Sequence, residues 1–97
     1  MSGHCGVKIR YDPAKRAQTL IERGLDFDDA LTVFSGPTFE AVDDRRDYGE
    51  RRWQTYGLLG GRLVTIVWTD RADSRHIMSM RKCNEREQAR FSRRLGS

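Results

Sequence analysis

The chain changes period twice. Val7 to Tyr11 (VKIRY) alternates apolar and basic residues, the pattern of a half-buried strand with Val7, Ile9 and Tyr11 on its inner face. Asp12-Pro13 then opens a helix, with Asp as cap and Pro at the first helical position. Ala17, Leu20 and Ile21 fall on one face of it, and Gly24 stops it. Asp26 opens a second helix, with Asp29 at the reciprocal capping position and Phe27, Ala30, Leu31 and Phe34 as its buried stripe. Ser35-Gly36-Pro37 ends it, and the two helices form a hairpin. From there the period returns to two. Strands are predicted over Thr38–Val42, Arg52–Leu59, Arg62–Thr69 and Arg75–Arg81, with a primed turn at Gly60-Gly61 and another turn over Asp70–Ser74. Arg62–Thr69 is apolar on both faces and is predicted to be central. Asn84 caps a last helix, with Glu87 as its box partner, running to about Leu95. The expected fold class is α+β: one domain over residues 1–97, an antiparallel twisted sheet carrying the N-terminal helical hairpin, and a C-terminal helix.

Composition narrows the function classes. At 97 residues the chain has room for one core. No apolar run is long enough to span a membrane, the N-terminus MSGHCGVKIR has no secretory apolar region, and two cysteines make no disulfide framework. A cytoplasmic protein is expected. Net charge is +4, unevenly placed. Residues 1–50 hold 7 Lys/Arg against 10 Asp/Glu, and residues 51–97 hold 11 against 4. All but one of those eleven cations are arginine, which suits bidentate contact with phosphate. Solubilising charge would explain the same count. Between the halves lies Asp43–Arg52 (DDRRDYGERR), eight of ten residues charged, which is either a solvated connection or the rim of a site.

The ordered motifs resemble the BrnT toxin family from about residue 10 to 90. They are Asp12-Pro13-Ala14-Lys15; Gly24-Leu25-Asp26-Phe27-Asp28-Asp29-Ala30; Asp44, Arg46, Asp47, Tyr48, Gly49, Glu50 and Arg52; Gly61-Arg62; Trp68-Thr69; Arg75 to Lys82; and Glu87. Thr19, Glu22-Arg23 and Cys83 depart from the family's usual Asn, Lys-His and Ala, so no role of those residues carries over. The resemblance implies a RelE-like fold and an endoribonuclease toxin that works without metal, blocks translation and arrests growth. It implies as partners an RNA substrate and a BrnA-like ribbon-helix-helix antitoxin, with operator DNA bound only through the antitoxin complex. The alternative is a catalytically inactive nucleic-acid-binding or antitoxin-binding module of the same fold.

Metal-free RNA cleavage needs a proton acceptor for the 2′-hydroxyl, cations for the phosphorane and a proton donor for the leaving oxygen. His4-Cys5 and the isolated His76 form no metal set, and no Gly-rich phosphate loop is present, so no cofactor is expected. Strand parity places Glu50, Arg52, Gln54 and Tyr56 on one face, and Arg75, Ile77, Ser79 and Arg81 on one face of the last strand. Glu50, Arg52, Arg75 and Arg81 are therefore the candidate catalytic group, with Glu50 as an orienting partner or the arginines as ion pairs with it. Lys15, Tyr48, Arg62, Ser79 and Lys82 are the candidate RNA contacts. The proton acceptor stays open among Lys15, Lys82 and His76; a histidine in a strand is more commonly packed. Trp53 and Trp68 read as core.

Overall fold

The computed structural model describes residues 8–43, 49–71 and 73–92. Its frame is a five-stranded mixed sheet of β1 (Ile9–Tyr11), β2 (Thr38–Asp43), β3 (Arg52–Leu59), β4 (Arg62–Arg71) and β5 (Ser74–Lys82), in the order β1-β5-β4-β3-β2. Around it lie α1 (Pro13–Arg23), a 3-10 turn at Phe27–Asp29, α2 (Ala30–Ser35) and α3 (Glu85–Ser92). The α+β class is as expected; the wholly antiparallel sheet is not. β2 to β5 are antiparallel neighbours, but β1 pairs parallel to β5, Ile9 opposite Arg75 and Tyr11 opposite Ile77. Tight turns force antiparallel pairing only where they join the paired strands. β1 is followed by helices that carry the chain to the far edge of the sheet, so its partner is the last strand.

The Gly60-Gly61 turn has φ of 59° and 81°, the left-handed pair that matches strand twist in a two-residue hairpin. β4 is central, and one of its faces builds the main core. Val64, Ile66 and Trp68 pack with Ile77, Met80, Leu25, Phe27, Ala30 and Val33. The second predicted helix resolves into the 3-10 turn and six-residue α2, because Asp26 caps Asp28 N while Asp29 makes no side-chain cap. Its buried stripe is Phe27, Ala30 and Val33, with Leu31 exposed.

Gly57 sets how closely α2 approaches. A Cβ there would lie 2.6 Å from Val33 Cγ1 and 3.1 Å from Thr38 Cγ2. Gly57→Ala is expected to cost about 1–3 kcal/mol by overpacking, seen as a lower urea midpoint. An unchanged midpoint would show that α2 can lift away freely.

α1 is attached by its polar side. Arg16 makes a bidentate pair with Asp26 at 2.8 Å per contact, and Arg23 donates to the Met80 carbonyl. The Ala17–Leu20–Ile21 stripe consequently faces out, with Ile21 83% exposed. On the sheet's other face, α3 lays Phe91 on Tyr56 at 4.2 Å, beside Phe39, Leu63 and Cys83. Burial raises the Cys83 thiol pKa and its Sγ sits 3.0 Å from Thr65 Oγ1, so it is a packed, unreactive group.

Candidate nucleic-acid interface

One irregularity decides which side chains meet. Val67 opposes Ser79, but Trp68 opposes Ile77, so Met78 is an extra residue in β5. A bulge reverses side-chain parity beyond it. The expectation that Arg75, Ile77, Ser79 and Arg81 share a face is therefore corrected. Arg75 and Ile77 lie on the face carrying α2, and Ser79 and Arg81 lie on the face carrying α3.

On the α3 face the register forms three rows across the sheet. The first is Arg10, His76, Thr69, Arg52 and Asp43. The second is Ser79, Val67, Gln54 and Ala41, and the third is Arg81, Thr65, Tyr56 and Phe39. α3 covers the third row. Adjacent strands stand about 4.8 Å apart, so Arg10 and His76 are immediate neighbours and Arg52 is two strands away, within reach of an arginine.

Arg81 projects from its row into a clamp. Glu87 accepts its Nη1 and Nη2 at 2.8 and 2.7 Å. Glu87 also accepts Asn84 N at 3.1 Å, while Asn84 Oδ1 accepts Glu87 N at 2.8 Å, so the predicted capping box holds the same carboxylate. The expected Arg81–Glu50 pair is thus an Arg81–Glu87 pair. The Arg81 hydrogen bonds pull the Glu87 pKa from 4.5 down to about 2. A carboxylate whose pKa is lowered on folding adds stability above its unfolded value and loses it as pH falls toward its folded value. The Arg81 side chain is 43% exposed, so solvent screening reduces the gain to about 1 kcal/mol. Thermal unfolding should show this stabilisation lost between pH 4.5 and about 2 in the parent protein and absent in Glu87→Gln. Equal acid sensitivity of the two proteins would count against the clamp.

His76 is half-buried between Arg10 and Thr69. Burial first, and then the Arg71 charge, lower its pKa below the usual 6.5. The imidazole is therefore neutral at pH 7, able to accept a proton. Glu50 lies outside β3 at the rim, paired with Arg71 at 3.2 Å, and both act electrostatically on His76, as does Lys15 from exposed α1.

The remaining candidates lie elsewhere. Arg75 is held over Trp68 at 4.2 Å and over Phe34 at 4.6 Å, with Glu40 at 3.6 Å. Glu40 accepts the Thr55 hydroxyl, which accepts Trp68 Nε1 at 2.7 Å. Arg75 is thus part of a packed network on the α2 side. Lys82, opposite Val64, is exposed on that side too. Arg62 is at the hairpin end, donating to the Cys83 carbonyl at 3.2 Å. Tyr48 lies outside the described residues, with all of 44–48. Trp68 is buried and Trp53 is stacked on it at 6.0 Å between ring centres, both in or against the core as expected.

The structure thus places Arg52, Ser79 and Arg81 from the candidate set on one face of the sheet, and adds His76 and Arg10 to that face. Arg10 carried one usable signal, its outward parity in VKIRY; its partner strand carried none. Among the described residues no three His, Cys, Asp or Glu side chains group as a metal set, and no helix is long and apolar enough to cross a membrane. Residues 11–87 match the family model described as "Ribonuclease toxin, BrnT, of type II toxin-antitoxin system". No curated protein matches the chain.

Proposed function

We propose that the α3-side face of this chain, which belongs to the BrnT family of ribonuclease toxins of type II toxin-antitoxin systems, is the RNA-cleaving surface. The observation that carries this reading is the row of Arg10, His76, Thr69 and Arg52, flanked by Ser79 and Arg81. It supplies cations, the Ser79 hydroxyl and a neutral imidazole on one side of one sheet; the Thr69 hydroxyl is buried and donates to the Arg51 carbonyl at 2.7 Å. RNA backbone lies along Arg52 and Arg81, which hold the scissile phosphate and stabilise the charge that builds on it. Neutral His76 accepts the proton of the attacking 2′-hydroxyl as the 2′-oxygen bonds to phosphorus; the phosphorus–5′-oxygen bond breaks, the leaving 5′-oxygen takes a proton from solvent water, and a 2′,3′-cyclic phosphate remains. Ser79 donates to a phosphate oxygen. Glu50 acts at a distance, fixing Arg71 at the rim. Arg75 is a packing residue in this scheme.

The donor set is of a kind that cleaves RNA by the internal 2′-hydroxyl without a metal, in a fold of the RelE type. Cleavage blocks translation and arrests growth. A type II system includes an antitoxin partner; here it is read as BrnA-like, with a ribbon-helix-helix part that brings the complex to operator DNA.

The test is induction of this chain alone, then with its cognate antitoxin, with cellular RNA mapped for new ends. Lone expression should stop growth and cut RNA, and co-expression should restore both. The purified protein should cut RNA equally well in EDTA. Its rate should fall in acid as His76 protonates, with the midpoint below pH 6.5. Loss of cleavage in EDTA removes the metal-free mechanism. Normal growth and intact RNA remove the toxin reading.

A further inference from the structure

An open cavity of about 480 Å³ lies at the β1 edge of the sheet, lined by Ile9, Arg10, Tyr11, Asp28 and His76. It wraps the β1 edge, with Ile9, Tyr11 and Asp28 lining it from the α2 side and Arg10 and His76 from the α3 side, and so adjoins the imidazole assigned above as proton acceptor. Its lining is mixed in a specific way: an apolar wall from Ile9 and Tyr11, a cation from Arg10, and a carboxylate from Asp28.

The carboxylate is fixed in place. Tyr11 Oη donates to Asp28 Oδ1, and the Tyr11 ring is itself set edge-on against Phe27 at 5.7 Å. Asp28 N donates to Asp26 Oδ1 at 2.9 Å, and Asp26 is gripped by Arg16, which also stands 3.6 Å from Asp28 Oδ2. Tyr11, Asp26 and Arg16 thus hold one acceptor at the mouth of a pocket with an apolar wall. Single-stranded RNA is read by splayed bases that stack on side chains and hydrogen-bond through their edges. A carboxylate can only accept, so it pairs with amino and ring N–H groups and repels carbonyl oxygens.

We propose that this cavity is a nucleobase subsite that selects bases carrying an amino group, guanine above all. Guanine offers two adjacent donors, N1–H and the 2-amino group, to one carboxylate. Cytosine and adenine offer one amino group each. Uracil has a single N–H between two carbonyl oxygens and is disfavoured. Arg10 takes the nucleotide's phosphate, and His76 faces the ribose. The proposal rests on RNA being the substrate, and its test reads binding apart from cleavage.

The probes are GMP, CMP, AMP, UMP and inorganic phosphate, titrated into the full chain while the His76 and Tyr11 ring signals are followed by NMR. GMP should shift both rings and bind about fivefold or more tightly than UMP, at the low end of what paired base-edge hydrogen bonds discriminate. Asp28→Asn keeps an acceptor for Tyr11 but adds donors, and should bring the GMP-to-UMP ratio within about twofold. Equal binding of the four nucleotides, shifts that phosphate alone reproduces, or no shift at either ring overturns the subsite. If GMP binds as expected and RNA is never cut, the subsite stands and the ribonuclease reading falls. If RNA is cut and Asp28→Asn leaves the nucleotide ratio unchanged, the reverse holds.

Discussion

Replacing Arg52 and Arg81 together by glutamine is expected to lower RNA cleavage by about 10³-fold or more, with the fold retained. A preorganised charge aimed at a developing oxyanion is typically worth about 10²–10³ in rate, and two such groups on one phosphate combine less than additively. Both residues lie on the α3 face, in rows that flank Ser79 and Gln54. The Glu87 clamp uses two of the five N–H groups of Arg81, and on the proposed reading the remaining ones meet the phosphate. Cleavage of a labelled RNA by the double variant, with its melting curve beside that of the parent, measures the effect. Arg62→Gln and Lys82→Gln are the comparison, since one is bound at the hairpin end and the other lies on the α2 side. Those changes should cost no more than the loss of a screened surface charge. Full activity in the double variant would move the reacting phosphate to another surface. Arg75 is the wrong partner for this experiment. It supports the core between Phe34 and Trp68, so its removal would report folding and activity together.

Trp68→Ala should remove about 3–5 kcal/mol of stability, the range for deleting a large buried aromatic. Against a total of roughly 5–15 kcal/mol for a domain, that is enough to unfold much of the population at growth temperature. Three losses coincide. The buried indole belongs to the main core with Val33, Ile66 and Ile77, and its ring contacts Phe34 and Trp53. Its Nε1 satisfies the buried Thr55 hydroxyl. Its ring is the platform on which Arg75 rests before reaching Glu40. Trp68→Phe keeps a ring and loses the hydrogen bond, so it should cost about 1–2 kcal/mol. Urea unfolding followed by circular dichroism separates the two. Similar midpoints for the two variants would mean that volume matters little here and that the polar network carries the stability.

Much of the candidate site was legible one strand at a time. Arg52, Gln54 and Tyr56 face one way and Trp53 and Thr55 the other, because β3 is regular from end to end. β5 is not regular, and the same counting placed Arg75 beside Arg81 when they lie on opposite faces. Nothing in RHIMSMR marks Met78 as the extra residue; the bulge shows only in how β5 pairs with β4. Glu87 shows a related limit. Its spacing from Asn84 announced a cap, but the approach of Arg81 depends on where α3 turns back over the sheet.

Four local elements follow from the residues alone: the Asp12-Pro13 helix start, the Gly60-Gly61 hairpin, the Asn84–Glu87 box and the apolar β4. Each rests on contacts or dihedral limits within a few residues, which short-range chemistry specifies. The assembled fold alone sets β1 parallel to β5, which puts Arg10 beside His76 and both in line with Arg52. It also decided that α1 docks through Arg16 and Arg23 and leaves its apolar stripe outside. Those outcomes depend on pairing between segments dozens of residues apart. That pairing is chosen by burying one shared core and satisfying its polar groups, a sum over the whole chain that no single window contains.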